Sequence, residues 1–185
     1  MQNFFDNTLT IHAEAATISA ILLDPSRLIQ WNPAIQAIRA ERPNQAAQPR
    51  QADRSEQPDQ SEQLQKVNQA DRADRAAQPT GSERRYQIGR DREAINQTEE
   101  LTIGQSADLI TYSVNGNRLS YCVQFQLTDN GGTTAVAETV LVDAKALPGI
   151  PLTLLRPVTK HAFLTNLRAL AALAERGTQR GDFEH

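Results

Sequence analysis

The chain has 185 residues, a formal net charge of -3 and a single cysteine. Its length favours one domain with a core of its own, and its charge gives no electrostatic reason to expect nucleic acid or an anionic membrane as a partner. One cysteine excludes an intramolecular disulfide, and the lack of a long apolar run or of a signal-peptide pattern predicts a cytoplasmic protein without stable membrane insertion.

The N-terminal segment predicts a strand followed by two short helices. Residues 7–12 alternate between apolar and polar side chains, which is typical of a half-buried strand. Residues 13–24 carry apolar side chains at helical spacing. Asp24 and Pro25 then provide the N-cap and the first residue of a second helix, which ends at Trp31, the only tryptophan of the chain.

A strand over residues 34–41 leads into a segment of different composition. Residues 40–82 are dominated by Gln, Ala, Asp and Arg, and their only large apolar side chains are Leu64 and Val67. Such a segment buries too little apolar surface to offset its ordering entropy, so we expect a disordered, low-complexity insertion. Its role stays open between a tolerated surface expansion and a loop that binds a protein partner.

A run of strands and a long helix are predicted after the insertion. Asn-Gly and Gly-Gly pairs separate the later strands, which indicates tight antiparallel hairpins. We expect the helix to stop at Gly177, which would leave residues 177–185 as a flexible tail. The predicted strands cover residues 84–90, 94–103, 108–114, 119–128 and 133–144, and the helix covers residues 152–176.

This order of elements predicts an α+β domain, in which a curved antiparallel sheet of six to seven strands wraps on the long C-terminal helix. The stretch "IHAEAATISAILLDPSRLIQWNPAIQAI", with its Asp-Pro and Trp-x-Pro, resembles the opening of the START-like superfamily, also called SRPBCC or Bet v 1-like. The stretch "LTLLRPVTKHAFLTNLRALAALAE" is similar to the C-terminal helix of that family. The resemblance implies one helix-grip domain over residues 1–39 and 83–176, with Trp31 as a structural plug at a corner of the sheet.

The resemblance also implies an apolar cavity between sheet and helix. Members of this superfamily bind lipids, polyketides, hormones or quinones; others are cyclases or dehydratases, and some bind proteins. No catalytic motif is common to the whole family, so fold alone does not give the function. Candidate site residues must therefore come from the pattern of this chain.

The inventory of catalytic side chains is thin. The three histidines and the cysteine show no metal-ligand spacing and no paired nucleophile and base, so we predict no catalytic residue, metal or cofactor. Polar residues on apolar phases remain as candidates to orient a small molecule, unless a bulge turns the two carboxylates towards water. These predicted ligand-binding residues are Glu99, Tyr112, Tyr121 and Glu138 on strands, and Thr159 and Asn166 on the helix.

Two main classes of function compete. The first, which we favour, is binding of a small hydrophobic ligand, lipid-like or aromatic, because the inward polar set is sparse and lacks a histidine. The second is an enzyme of the cyclase or dehydratase kind that uses a buried carboxylate and a tyrosine as acid and base. A protein-interaction module is a third and weaker alternative.

Overall fold

The computed structural model describes residues 1–40, 84–92, 94–143 and 152–181, with side chains described up to Gly177. These residues form seven strands and three helices. The strands are β1 (Gln2–Ile11), β2 (Ile35–Ala40), β3 (Arg84–Arg90), β4 (Thr98–Ser106), β5 (Leu109–Gly116), β6 (Tyr121–Asp129) and β7 (Thr134–Val142), and the helices are α1 (Ala15–Leu23), α2 (Pro25–Trp31) and α3 (Leu152–Gly181).

The strands form one curved sheet in the order β1-β7-β6-β5-β4-β3-β2. All neighbouring strands are antiparallel, as the run of hairpin signals predicted. At the β6–β7 turn, Gly131 and Gly132 have φ angles of 72° and 91°. Only glycine adopts such angles without steric cost, so this pair fixes the hairpin.

The two short helices form a corner at one end of the sheet. Asp24 caps α2, since its carboxylate accepts a hydrogen bond from the Ser26 amide at 2.9 Å, and Pro25 occupies the first turn. Trp31 ends α2 and is buried, with 3% of its surface exposed. Its ring meets that of Phe125 edge to face, with centroids 6.2 Å apart. Trp31 is therefore part of the core, and its role as a structural plug stays a prediction.

Helix α3 covers the same face of the sheet that carries the buried phase of each strand. Its second half closes the core with Leu167, Leu170 and Ala174, each of which is fully buried. Its first half is less deeply packed, since Leu152, Leu155 and Phe163 lie at the margin of the core cluster. This difference along one helix leaves space between its N-terminal half and the sheet.

Several predicted boundaries were wrong. Strand β1 begins at Gln2 rather than at residue 7. Strand β4 begins at Thr98 rather than at residue 94, because the side chain of Asn96 is bonded to the β5–β6 connection and keeps the preceding residues in a loop. Helix α3 does not stop at Gly177 but continues to Gly181, since one glycine costs a long helix only about 1 kcal/mol. The flexibility of residues 177–185 stays a prediction, and the insertion predicted over residues 40–82 lies, apart from Ala40, outside the described residues.

Candidate functional site

Two neighbouring cavities lie between the first half of α3 and the sheet. The larger, which we call the outer cavity, has a volume of about 210 Å³. The smaller, the inner cavity, has a volume of about 30 Å³ and lies against α2. Arg90, Tyr121 and Phe163 line both cavities, so these three side chains separate one space from the other.

The outer cavity is mainly apolar. Side chains alternate between the two faces of β7, and Val140 and Val142 lie on the buried face, where they line the cavity on the side of the sheet. Helical spacing supplies the other side, where Leu152, Leu155 and Thr159 follow one another at intervals of three and four residues. The hydroxyl of Thr159 donates to the Leu155 carbonyl at 2.9 Å, so this predicted ligand residue presents mostly its methyl group.

Three polar side chains, which we call the polar trio, lie where the cavities meet: Arg90, Glu99 and Tyr121. Arg90 Nε donates to Glu99 Oε2 at 2.5 Å, and Arg90 Nη2 donates to the Tyr121 hydroxyl at 2.5 Å. The ion pair is shielded from water, since the side chains of Arg90 and Glu99 are 13% and 3% exposed. Burial raises the pKa of Tyr121 well above its usual value, so its hydroxyl stays protonated.

Asn96 fixes the carboxylate of the trio from the other side. Its Nδ2 donates to Glu99 Oε1 at 2.9 Å and to the Leu119 carbonyl at 2.8 Å, and its Oδ1 accepts from the backbone of Arg118 at 3.0 Å. Gly116 makes room for this amide, because a Cβ atom there would lie 2.0 Å from Asn96 Nδ2. Glu99 is thereby held in one orientation.

The inner cavity contains a second buried carboxyl group. Glu138, which is 1% exposed, accepts a hydrogen bond from Asn7 Nδ2 at 2.8 Å. Burial raises the pKa of Glu138 to about 7, against the lowering effect of that hydrogen bond. This carboxyl group therefore changes its protonation near neutral pH.

The structure divides the sequence-predicted residues between the two cavities. Glu99, Tyr121 and Thr159 line the outer cavity. The inner cavity is lined by Tyr112, Glu138 and Asn166, and Tyr121 lines it too. The Tyr112 hydroxyl donates to the Leu22 carbonyl in α1, which ties that helix to the sheet. Both carboxylates face the interior, so the alternative in which they face water does not occur.

Sequence reasoning missed three polar residues of this region. Arg90 shares the strand phase of Tyr86 and Ile88, and Asn7 shares that of Phe5 and Ile11, so alternation alone would have found both. Asn96 carries no such signal, because it lies in a loop and its burial depends on the β5–β6 connection. The side chains of Arg85 and Arg118 are exposed.

Solved structures with the same architecture are available for comparison. A START superfamily protein from Mycobacterium smegmatis superposes with a TM-score of 0.60 at 13% identity, over 93% of this chain and 97% of that one. The Zhui aromatase/cyclase from Streptomyces sp. R1128 gives 0.58 at 13% identity, over 93% of each chain. The di-domain ARO/CYC StfQ of the steffimycin biosynthetic pathway gives 0.58 at 14% identity, and the chain spans 52% of its length.

The chain has the START-like helix-grip fold. This confirms the resemblance drawn from the sequence, at the level of fold, because identities of 13% to 14% carry no residue-by-residue correspondence. No protein-family model matches the sequence, and no curated protein matches it. The START-like fold leaves function to be argued from the two cavities.

The described part of the chain adds two further findings. None of its helices combines the length and apolar character needed to cross a membrane. Its His, Cys, Asp and Glu side chains form no group of three that could hold a metal ion.

Proposed function

We propose that the protein binds a small, uncharged hydrophobic molecule, aromatic or lipid-like, whose apolar body fills the outer cavity and whose oxygen meets the polar trio. The observation that carries this proposal is an apolar cavity of about 210 Å³ with one buried Arg–Glu–Tyr cluster at its inner end. Sites for small molecules have this composition: apolar walls with a few fixed polar groups that orient the ligand.

The charge balance of the trio favours a neutral ligand. The positive charge of Arg90 is already paired with Glu99 at 2.5 Å, so the cluster has no net charge. A ligand carboxylate would add an uncompensated negative charge to a buried site, which is costly. A hydroxyl or carbonyl oxygen needs only a hydrogen-bond partner, which Arg90 or Tyr121 supplies.

The volume of the cavity limits the size of the ligand. Drug-sized ligands occupy pockets of roughly 300–1,000 Å³, and the outer cavity measures about 210 Å³. A molecule of about two fused rings, or a short alkyl chain, suits this space. Long-chain lipids would extend beyond it.

Isothermal titration calorimetry with naphthalene derivatives tests the proposal. We expect 2-naphthol to bind more tightly than naphthalene, because of its oxygen, and more tightly than 2-naphthoate, because of its neutrality. Failure of 2-naphthol and naphthalene to bind the native protein would refute the proposal.

A matched pair of variants on α3 locates the binding. Leu155 lines the outer cavity, so Leu155→Trp should fill it and weaken 2-naphthol at least tenfold. Leu154 is 71% exposed on the same helix, so Leu154→Trp should leave the affinity unchanged. Equal effects of the two substitutions would place the ligand elsewhere.

Catalysis of the cyclase or dehydratase kind is the second candidate, and Glu138 is the observation that favours it. A general acid or base works best when its pKa is near the working pH, and Glu138 has a pKa of about 7 and lines the inner cavity together with Tyr121. Two of the structures of similar fold are named aromatase/cyclases. Heptane-2,4,6-trione, which loses water on cyclising to orcinol, is a suitable probe. An acceleration of this cyclisation that Glu138→Gln abolishes would establish catalysis. If the protein does not accelerate the cyclisation, ligand binding alone remains the proposed function.

A further inference from the structure

Two buried polar atoms, on residues that line the inner cavity, have no hydrogen-bond partner among the described residues: Trp31 Nε1 and Asn32 Oδ1. Both atoms are buried, and Trp31 as a whole is 3% exposed. The two residues are adjacent in the chain, at the end of α2, and both line the inner cavity. One supplies a donor and the other an acceptor.

Such a pair is unusual in a protein interior. Nine in ten or more buried polar groups have a partner, because leaving one unpaired costs free energy. The Trp31 ring itself is well packed, at 6.2 Å from the Phe125 centroid and 6.4 Å from that of Tyr112. This packing places aromatic rings around the indole but gives its N–H no hydrogen-bond acceptor.

The volume of the inner cavity fits one small polar group. A single water needs roughly 10–15 Å³ of such space, and the cavity has about 30 Å³. Glu138 and Asn166 are further polar side chains in its wall. The side-chain amide of Asn166 makes no hydrogen bond within the described part of the chain, so it is a further possible hydrogen-bond partner for such a group.

The two cavities share an aromatic wall. Tyr121 and Phe163 line both of them and meet edge to face, with centroids 6.4 Å apart and an interplanar angle of 83°. Aromatic faces in this arrangement suit a flat ring. A flat ring that packs against this wall in the outer cavity would therefore lie next to the inner cavity, which Trp31 lines.

We propose that the inner cavity is a second polar subsite, in which Trp31 Nε1 donates a hydrogen bond to a second oxygen at the inner end of the ligand. This inference rests on the function proposed above and narrows its ligand class. The preferred ligand is a flat molecule with two neighbouring neutral oxygens at that end, one for the polar trio and one for Trp31. A hydroxyl in the inner position would in addition donate to Asn32 Oδ1.

Calorimetry with 2,3-dihydroxynaphthalene and 2-naphthol tests the second subsite. The dihydroxy compound should bind the native protein about two- to tenfold more tightly, the effect of one net hydrogen bond. Trp31→Phe removes the donor and keeps an aromatic ring, so the two affinities should become equal. Ile18→Val, a change of a buried apolar residue that lines neither cavity, is the control and should preserve the preference. Equal affinities in the native protein would overturn the inference.

Nuclear magnetic resonance gives a second test that needs no variant. Trp31 is the only tryptophan, so one indole N–H signal reports on the inner cavity. We expect 2,3-dihydroxynaphthalene to move this signal downfield and 2-naphthol to move it much less. An indole signal at high field that neither probe moves would show that the N–H points at the Phe125 ring, and would overturn the inference.

The failures of the two proposals are distinguishable. If 2-naphthol binds and the second hydroxyl adds nothing, the outer cavity stands as the binding site and the Trp31 subsite is refuted. If none of the naphthalene derivatives binds, the proposed function itself fails, and the second subsite fails with it.

Discussion

Arg90 and Glu99 form the buried ion pair on which the charge of the site depends. Their contact of 2.5 Å is supported by Tyr121 on one side and Asn96 on the other. A buried pair adds little net stability compared with apolar residues, but removing one partner strands the other charge. The pair is therefore a means of holding polar groups in a neutral, fixed arrangement beside an apolar cavity.

Breaking this pair should cost more than removing it. Arg90→Met should lower the free energy of unfolding by about 3–5 kcal/mol, because Glu99 loses its counter-ion. The double variant Arg90→Met/Glu99→Gln should recover most of that loss, since no buried charge remains. Urea unfolding of the single and double variants measures the difference. Equal stabilities of the two variants would show that Glu99 is not left as an unpaired buried charge in Arg90→Met.

Glu138 should make stability depend on pH. Its folded-state pKa of about 7 lies above the reference value of 4.5, so the folded protein holds the proton more tightly. Stability contributed by this group is complete below pH 4.5, falls as the pH rises from there to about 7, and is then lost. Glu138→Gln should therefore stabilise the protein above pH 7 by up to about 3 kcal/mol and have little effect near pH 4. Urea unfolding at both pH values checks this, and a pH-independent difference would contradict it.

A loop residue, Asn96, holds the β3–β4 loop against the β5–β6 connection. Asn96 bonds to Glu99 and to the backbone of residues 118 and 119, and this requires the bare backbone of Gly116. The corner formed by α1 and α2 is, by contrast, specified locally by Asp24 and Pro25. One element of the site thus depends on tertiary contacts and the other on local sequence.

A pair of glycine substitutions tests the role of this loop. Gly116→Ala should destabilise the protein by about 1–3 kcal/mol and weaken 2-naphthol, because the new Cβ displaces Asn96 and with it Glu99. Gly104, on the adjacent strand, has nothing within 4 Å of its Cβ position, so Gly104→Ala is the control and should be nearly neutral. Thermal unfolding and calorimetry report the two effects, and a neutral Gly116→Ala would contradict this account.

At the scale of the whole molecule, the fold was predictable because local signals agree with one another. Strand alternation, the cap at Asp24 and the Gly-Gly turn each specify their element without help from distant residues. The division of the groove into two cavities was not predictable. The division depends on how far the side chains of Tyr121 and Phe163 extend between the helix and the sheet. Neither the spacing of apolar residues nor secondary-structure propensity specifies this distance. Asn166, one of the predicted ligand contacts, consequently borders the smaller cavity.

The insertion over residues 40–82 stays a prediction, and its removal tests it. Ala40 pairs with Tyr86 across the antiparallel β2–β3 ladder, so a short Gly-Ser linker in place of residues 42–81 can join the strands. We expect the melting temperature to change by a few degrees, comparable to about 1 kcal/mol, because the segment has few apolar side chains. A shortened protein that fails to fold would show that the segment contributes to the core.

The most direct test of the binding site is a set of intermolecular nuclear Overhauser effects between 2-naphthol and the methyl groups of the protein. If the outer cavity is the site, ring protons of 2-naphthol will show contacts to the methyls of Val142 and Leu155, which line it, and none to Leu154, which is 71% exposed. Contacts to Leu154 or Val158 alone, or no contacts at a saturating concentration of 2-naphthol, would contradict the proposal that this protein binds its ligand between sheet and helix.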